Sequence, residues 1–308
     1  MTRKKNQTFP TLSGRVVEEQ KNFYLVDTSE GTVRCSIRGI LKKKKIRVCT
    51  GDLVTIEVIN PDIPEGVIKE VRKRLNHLPR PPLANIEQIF FINSFKMPSL
   101  DLETIDRFLF SASVYGIDSV LVFNKSDLMS DEEMRGLEKI CRFYDSAGYR
   151  TLYTSAKTRR GIEELTALCH NSLSAFAGLS GVGKSSLMSI LVPERTFRTG
   201  EVSGNRGRGT HTTTHISLVP ITIGGYIADT PGISFVNIPR VDENETPFFF
   251  PELESRVGSC RFNDCKHDEE PGCYIRELVE KGEIASWRHK HYLKIRNEME
   301  QLNKKRFN

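Results

Sequence analysis

The stretch Gly178-Leu179-Ser180-Gly181-Val182-Gly183-Lys184-Ser185, followed by Ser186, fits G-x-x-x-x-G-K-[ST] and constrains this chain more than any other segment. A loop of this pattern wraps phosphates. Its glycines let successive backbone N–H groups converge on anionic oxygens without a clashing Cβ. A helix is predicted to start near Lys184 and to aim its positive dipole end at the same point. Lys184 would then reach the β- and γ-phosphates of a nucleotide, and the Ser185 hydroxyl would take one position on a magnesium ion.

Upstream, Ile86–Ile92 reads as a buried strand, Leu100–Tyr115 as a helix and Ser119–Phe123 as a second apolar strand. Strand, helix and strand at this spacing predict a parallel βαβ unit, with ligand groups at the carboxyl ends of the strands. The second strand ends in Asn124-Lys125-Ser126-Asp127, which fits N-K-x-D. The Asp127 carboxylate can accept from both the ring N–H and the exocyclic amine of guanine, a pair that adenine does not present. Lys125 can lie over the purine face, and Asn124 can tie the loop to its neighbours. About 30 residues on, Ser155-Ala156-Lys157 resembles the S-A-K element that supports guanine through its backbone.

Downstream of the phosphate loop, Arg206–Thr214 ends in His211-Thr212-Thr213-Thr214. Such a segment suits a switch in which one threonine binds magnesium only in the triphosphate state. Any of the three could do so, and Thr213 is the reading taken. Gly225–Gly232 predicts a strand closing in Asp229-Thr230-Pro231-Gly232, a D-x-x-G pattern. Asp229 would hold magnesium through a water, and the Gly232 N–H would bond the γ-phosphate. Ile233 follows where Ras-like proteins carry a water-orienting Gln. An isoleucine cannot orient water, which leaves His211 as the nearest candidate for that work and predicts slow intrinsic hydrolysis.

A separate cluster lies near the end of the chain. Cys260, Cys265, His267 and Cys273 follow C-x4-C-x-H-x5-C, three thiols and an imidazole able to close a tetrahedral zinc shell. With no open position, such a site is structural. Seven cysteines, an odd number, favour a reducing compartment over a disulfide framework.

Charge is unevenly distributed. Residues 1–80 carry 17 Lys+Arg against 9 Asp+Glu, and residues 274–308 carry 9 against 5, so an acidic middle lies between basic ends. Basic ends suggest contact with a polyanion. Five short strands between residues 14 and 71 suit an OB-type barrel. A Lys42–Lys45 loop could grip phosphates there, with Phe23 or Tyr24 stacking on bases, although a solvated charge run and core aromatics explain them more simply. The segment Trp287–Lys294 mixes basic and aromatic residues, which suits either an RNA-facing surface or a packed amphipathic helix. No apolar run is long enough to cross a bilayer, and the basic start lacks the apolar segment of a secretory signal.

The order of the motifs is the most specific feature. N-K-x-D and S-A-K precede the phosphate loop, whereas ordinary GTPases have them after it, so the chain resembles circularly permuted GTPases. Together with the small barrel, the H-T-T-T switch, D-T-P-G and the Cys/His cluster, this resembles the RsgA (YjeQ-type) small ribosomal subunit-dependent GTPases over nearly the whole chain.

The resemblance implies an N-terminal OB-fold β-barrel (1–75), a linker (76–83), an α/β circularly permuted P-loop GTPase domain (84–240) and a mostly α zinc-binding C-terminal domain (241–308). It implies hydrolysis of GTP to GDP with Mg2+, one structural Zn2+, and stimulation by the small ribosomal subunit. It also implies rRNA contacts by the flanking domains and late-stage subunit assembly as the task. His211 maps onto the family's catalytic histidine. A cytoplasmic monomer with no membrane partner is expected. Two other classes remain open: a GTP-driven switch on a protein or membrane partner, which would not need basic ends, and a non-enzymatic RNA chaperone, against which intact Lys184, Ser185, Asp229 and Gly232 argue.

Overall fold

The computed structural model describes residues 10–39, 41, 46–60, 63–193, 216–233 and 238–305. The chain divides into two compact units. One comprises Met1–Glu87, Cys169–Ala175 and Ser203–Ile233, and the other Gln88–Leu168, Phe176–Val202 and Ser234–Asn308.

The first unit is built on alternation. In β3 (Gly31–Ile37), following β1 (Thr11–Glu19) and β2 (Tyr24–Thr28), Val33 and Cys35 point inward while their neighbours face water. With β4 (Leu53–Asn60) and β5 (Glu65–Val71) the strands pair in the cycle β1-β2-β3-β5-β4 and back to β1. Closure leaves the barrel without an edge. Val16, Val26, Cys35, Val54, Ile56 and Ile68 fill it and are fully buried. Tyr24 packs against this core, and the Phe23 ring lies under the Arg34 guanidinium at 4.2 Å, so both aromatics are engaged within the barrel. The Lys42–Lys45 loop lies outside the described residues.

The expected linker contains a two-strand hairpin, β6 (His77–Pro79) with β7 (Pro82–Ala84). Its prolines occupy the turn and the rung beside it, where a missing N–H is tolerated. Leu78 and Leu83 are buried. The amide of Asn85, at φ 56°, donates to the Gly51 carbonyl while its oxygen accepts the Leu75 N–H, and Gly51 (φ 91°) has no room for a Cβ, which would meet the Ala84 carbonyl at 2.1 Å. Apolar pairing and these bonds override the proline signal.

The second unit holds β8 (Gln88–Ser94), α1 (Leu102–Val114), β9 (Asp118–Asn124), α2 (Asp131–Ser146), β10 (Arg150–Tyr153) and α3 (Ile162–Leu168). The three strands are parallel in the order β10-β9-β8. All residues of β8 after Gln88 are buried, as expected of a strand covered on both faces. Asp101 caps α1, and a Ser130–Glu133 capping box starts α2 just past the N-K-S-D motif. The chain continues through β11 (Leu173–Ala177) and α4 (Lys184–Leu191), then returns to the first unit as the antiparallel pair β12 (Ser217–Pro220) and β13 (Tyr226–Ile233), where Ser217 meets Glu18 of β1.

The C-terminal helices α5 (Pro251–Glu254), α6 (Tyr274–Glu280) and α7 (Ser286–Lys304) pack with Phe110 of α1 around Phe250, Leu253, Ile275, Tyr292, Ile295 and Met299. Of the two readings of Trp287–Lys294, the packed helix is the one realised. Trp287 packs edge-on against Phe143 and at a tilt against Tyr144, Tyr292 is fully buried, and Arg288 is buried at 1% exposure.

Candidate nucleotide site and metal centre

The fully buried end of β11 delivers the chain to Gly178, and a chain of tight turns follows. Gly178 (φ 137°) lies against β8, where a Cβ would meet the Ile92 carbonyl at 2.2 Å. Gly183 (φ 97°) caps α4, and a Cβ there would lie 2.3 Å from the Asn124 amide nitrogen. Two of the motif's glycines are therefore dictated by packing as well as by the ligand the loop is built for. Lys184 opens α4, with Ser185 and Ser186 behind it. The Lys184 ammonium donates to the carbonyls of Gly178 (2.9 Å) and Leu179 (2.7 Å), and partial burial lowers its pKa. Ser180, Gly181 and Val182 form the rest of the loop, with Val182 buried.

Asn124, itself buried at the end of β9, joins three segments. Its amide donates to the Val182 carbonyl (2.8 Å), and its oxygen accepts from the Thr154 hydroxyl (3.1 Å) and the Ala156 N–H (3.3 Å). The expectation that Asn124 ties the loop to its neighbours is met by these bonds. Lys125 takes a left-handed conformation (φ 62°) and donates to the Met97 carbonyl at 2.8 Å. The Ser126 N–H donates to the Thr154 carbonyl (3.1 Å), while its buried hydroxyl has no partner among the described residues. Asp127 accepts the Ser155 hydroxyl at 2.5 Å, and Ser155 in turn accepts the Thr158 N–H at 3.0 Å. Lys157, exposed, follows Ala156. N-K-S-D, S-A-K and the phosphate loop are thus brought together at the carboxyl ends of parallel strands, although 58 residues separate Asn124 from Val182.

Asp229 lies on β13 opposite Ser217, and Gly232 lies near the end of that strand. His211, Thr213 and the rest of Arg206–Thr214 lie outside the described residues.

Three further groups hold the site together without belonging to any of its motifs. Thr154 sits one residue before S-A-K and completes the hold on Asn124. Gly161 (φ 69°) leaves no space for a Cβ against the Tyr153 carbonyl, at 2.1 Å. The Met97 carbonyl takes the Lys125 ammonium. The Gly in Arg159-Arg160-Gly161 was a readable signal, whereas a backbone carbonyl leaves none in a sequence.

The donor atoms of Cys260, Cys265, His267 and Cys273 all lie within 4.8 Å of one another. The His267 Nδ1 is 3.4 Å from the Cys260 sulfur and 3.7 Å from that of Cys273, and the two sulfurs are 4.0 Å apart. A tetrahedral zinc shell has S–N and S–S edges of about 3.6–3.8 Å, so the quartet fits that ion. His267 adopts φ 62°, its carbonyl is bonded to the His289 Nε2 at 2.7 Å, and the Tyr292 hydroxyl donates to the Lys266 carbonyl at 3.1 Å. Both oxygens of Glu270 accept N–H groups of the same turn, from Lys266 and Asp268 at 2.9 Å. These bonds fix the ligand-bearing backbone from outside, as metal sites require.

The sequence matches the RsgA GTPase family over residues 71–239 and the RsgA N-terminal domain over residues 13–68. This chain belongs to the RsgA GTPase family. It is 42% identical, over 92% of its length and 95% of the relative's, to a small ribosomal subunit biogenesis GTPase RsgA of Moorella thermoacetica. It is 40% identical to the protein of the same name from Carboxydothermus hydrogenoformans, over 94% of this chain and 98% of the other. The crystal structure of YjeQ from Thermotoga maritima superposes with a TM-score of 0.82 at 34% identity, covering 94% of this chain and 99% of that one. YloQ, described as a circularly permuted GTPase, gives 0.81 at 28% identity over 97% and 98%. The closed five-stranded barrel, the permuted GTPase core and the helical C-terminal region expected from the sequence are all present. The chain is a GTPase of this family.

Proposed function

We propose that this protein binds GTP through Asn124–Asp127, Ser155–Lys157 and Gly178–Ser186, hydrolyses it to GDP and phosphate, and acts in late assembly of the small ribosomal subunit. The observation that carries the nucleotide reading is the triple hydrogen bonding of Asn124, which locks the base-reading segments to the phosphate loop. Asp127, already oriented by Ser155, accepts the guanine N–H groups. The Lys184 ammonium exchanges two loop carbonyls for phosphate oxygens, a swap that costs little because both sets are acceptors at the same lysine. Ser185, Thr213 and Asp229 would hold Mg2+, which neutralises charge building between the β- and γ-phosphates. Gly232 would bond the γ-phosphate through its N–H, and His211 would orient the attacking water. Asp127→Asn tests the base assignment, since retained selectivity for GTP over xanthosine triphosphate would refute it.

Cys260, Cys265, His267 and Cys273 would hold one Zn2+, whose contribution is to cross-link the turn ahead of α6. The names of the relatives support the small ribosomal subunit as partner, and the basic barrel end and tail support rRNA contact. Among the described residues no helix is long and apolar enough to cross a membrane. A cytoplasmic monomer is the form proposed. The deciding experiment is GTP turnover with and without purified small subunits. A rise of several orders of magnitude is expected, and unchanged turnover would remove the subunit from the account.

A further inference from the structure

The turn from β8 into α1 is held more firmly than a surface connection requires. The hydroxyl of Ser94, the buried last residue of β8, accepts the Met97 N–H at 3.2 Å. The Leu100 N–H donates to the Phe95 carbonyl at 3.2 Å, and Lys96 pairs with Ser99 across the turn. Met97, at the tip, is 66% exposed, so its side chain is not what keeps the turn in shape.

Two lysines cross between this turn and the N-K-S-D segment in opposite directions. The Lys125 ammonium donates to the Met97 carbonyl at 2.8 Å. The Lys96 ammonium lies 2.9 Å from a Glu133 oxygen, the same oxygen that accepts the Ser130 N–H in the capping box of α2. Each loop grips the other through a charged donor, a stronger bond than a neutral pair makes. Lys125 is also held at φ 62°, a conformation that a lysine keeps only where its surroundings over-determine it, and such residues gather at ligand clamps.

A lysine stem loose in water loses rotamer freedom when a ligand orders it, which opposes binding. A stem tied down beforehand has already lost that freedom. The bond to Met97 uses one of the three ammonium N–H groups and fixes the stem at its far end, while the left-handed backbone fixes it at the near end. We infer that the Phe95–Ser99 turn is a positioning element of the nucleotide site, holding the Lys125 stem as a preformed plank for the purine face. This rests on the GTP reading above, with Lys125 over the base. An apolar plank is blind to the edge of the base. The turn therefore governs how tightly any purine is held and leaves the choice among purines to Asp127.

The test is calorimetric titration of the full chain with GDP and with inosine diphosphate, which lacks the exocyclic amine. Met97→Gly adds backbone freedom at the tip while removing only an exposed side chain. It is expected to weaken both nucleotides by the same factor, roughly 2- to 12-fold, as for leaving one long side chain to be immobilised on binding. In turnover the loss should fall on KM for GTP rather than on kcat. Met97→Ala trims the side chain with less added freedom and should weaken binding less. Lys125→Ala should weaken both nucleotides, and adding Met97→Gly to it should change nothing further, because the turn acts through that stem. Equal losses for Met97→Ala and Met97→Gly would place the contact on the side chain itself and overturn the proposal. Additive losses in the double variant, different factors for the two nucleotides, or full affinity in Met97→Gly would also overturn it. Full affinity in Lys125→Ala would instead refute the stacking role on which the proposal stands, and Asp127→Asn, measured separately, tests the base reading alone.

Discussion

Replacing Arg288 by methionine is expected to cost this protein more stability than any surface ion pair could supply. Arg288 is buried on α7 and bonds the Asp106 carboxylate of α1 (2.5 Å), the Glu252 carboxylate of α5 (2.6 Å) and the Tyr149 hydroxyl (3.1 Å). Asp106, itself fully buried, also accepts from Tyr144 (2.7 Å) and is bonded to His291 at 2.6 Å. Methionine keeps the volume of the side chain but leaves two carboxylates buried without their cation. Breaking a buried pair in this way costs about 3–5 kcal/mol. At roughly 2–4 °C per kcal/mol for a chain of this size, the melting point should fall by about 6–20 °C.

A built-in control exists in Arg107–Glu298, also joining α1 to α7 but with its side chains 26% and 38% exposed, where Arg107→Ala should cost at most about 1 kcal/mol. Trp287, the chain's one tryptophan, packs on Phe143, Tyr144 and His291 beside the buried group and reports urea unfolding by fluorescence. Adding Asp106→Asn to Arg288→Met should restore part of the stability by removing one stranded charge. Equal losses for Arg288→Met and Arg107→Ala, or a double variant weakened by the sum of both changes, would refute the reasoning.

Other outcomes follow from the same geometry. Asn124→Ala removes one hydrogen bond to the phosphate loop and two to the Thr154–Ala156 segment, and at about 0.5–1 kcal/mol per bond should weaken GTP binding by roughly 10- to 150-fold in calorimetry. Gly183→Ala forces a Cβ to 2.3 Å from the Asn124 amide at a positive φ and should lose GTP binding while the barrel keeps its circular-dichroism signature. Burial pushes Cys35, Cys49 and Cys169 up to about 12 and Cys141 to about 11, so at pH 8 these four thiols should be almost wholly protonated and unreactive to a thiol reagent until urea unfolds the chain. Chelation of metal from the folded protein should expose three further thiols, Cys260, Cys265 and Cys273. Metal analysis should find one zinc per chain, and three thiols reacting before chelation would count against the quartet.

Motifs whose spacing is imposed by a ligand were legible in advance. Gly183-Lys184-Ser185 must sit together because one loop has to present backbone, ammonium and hydroxyl to the same phosphates. The barrel was legible for a different reason: alternation in Thr32–Ile37 and Asp52–Val58 records which face is wet. The Arg288 group was not legible, since the residues that neutralise it, Asp106 and Glu252, lie 182 and 36 positions away, and Trp287–Lys294 alone resembles a basic surface. The hairpin at 77–84 was hidden because proline reads as a breaker, and the burial of Leu78 against Leu83 that offsets it is a tertiary fact.

Permutation is tolerated here for a reason visible in individual contacts. The base-reading residues stand at the carboxyl ends of β9 and β10, and the phosphate loop leaves the end of β11 with Gly178 pressed against Ile92 of β8. None of the contacts among Asn124, Thr154, Ala156 and Val182 depends on which segment is synthesised first. Each depends on parallel strands ending at the same level. The N–H of Thr154 bonds the Phe123 carbonyl at 2.9 Å, and the N–H of Ser126 returns to the Thr154 carbonyl, so β9 and β10 hand the two loops to one another in register. Chain order can therefore be shuffled wherever the cut falls in a connection and not in a strand end. The register of β8, β9 and β10, more than the sequence order of the motifs, is what a nucleotide would feel.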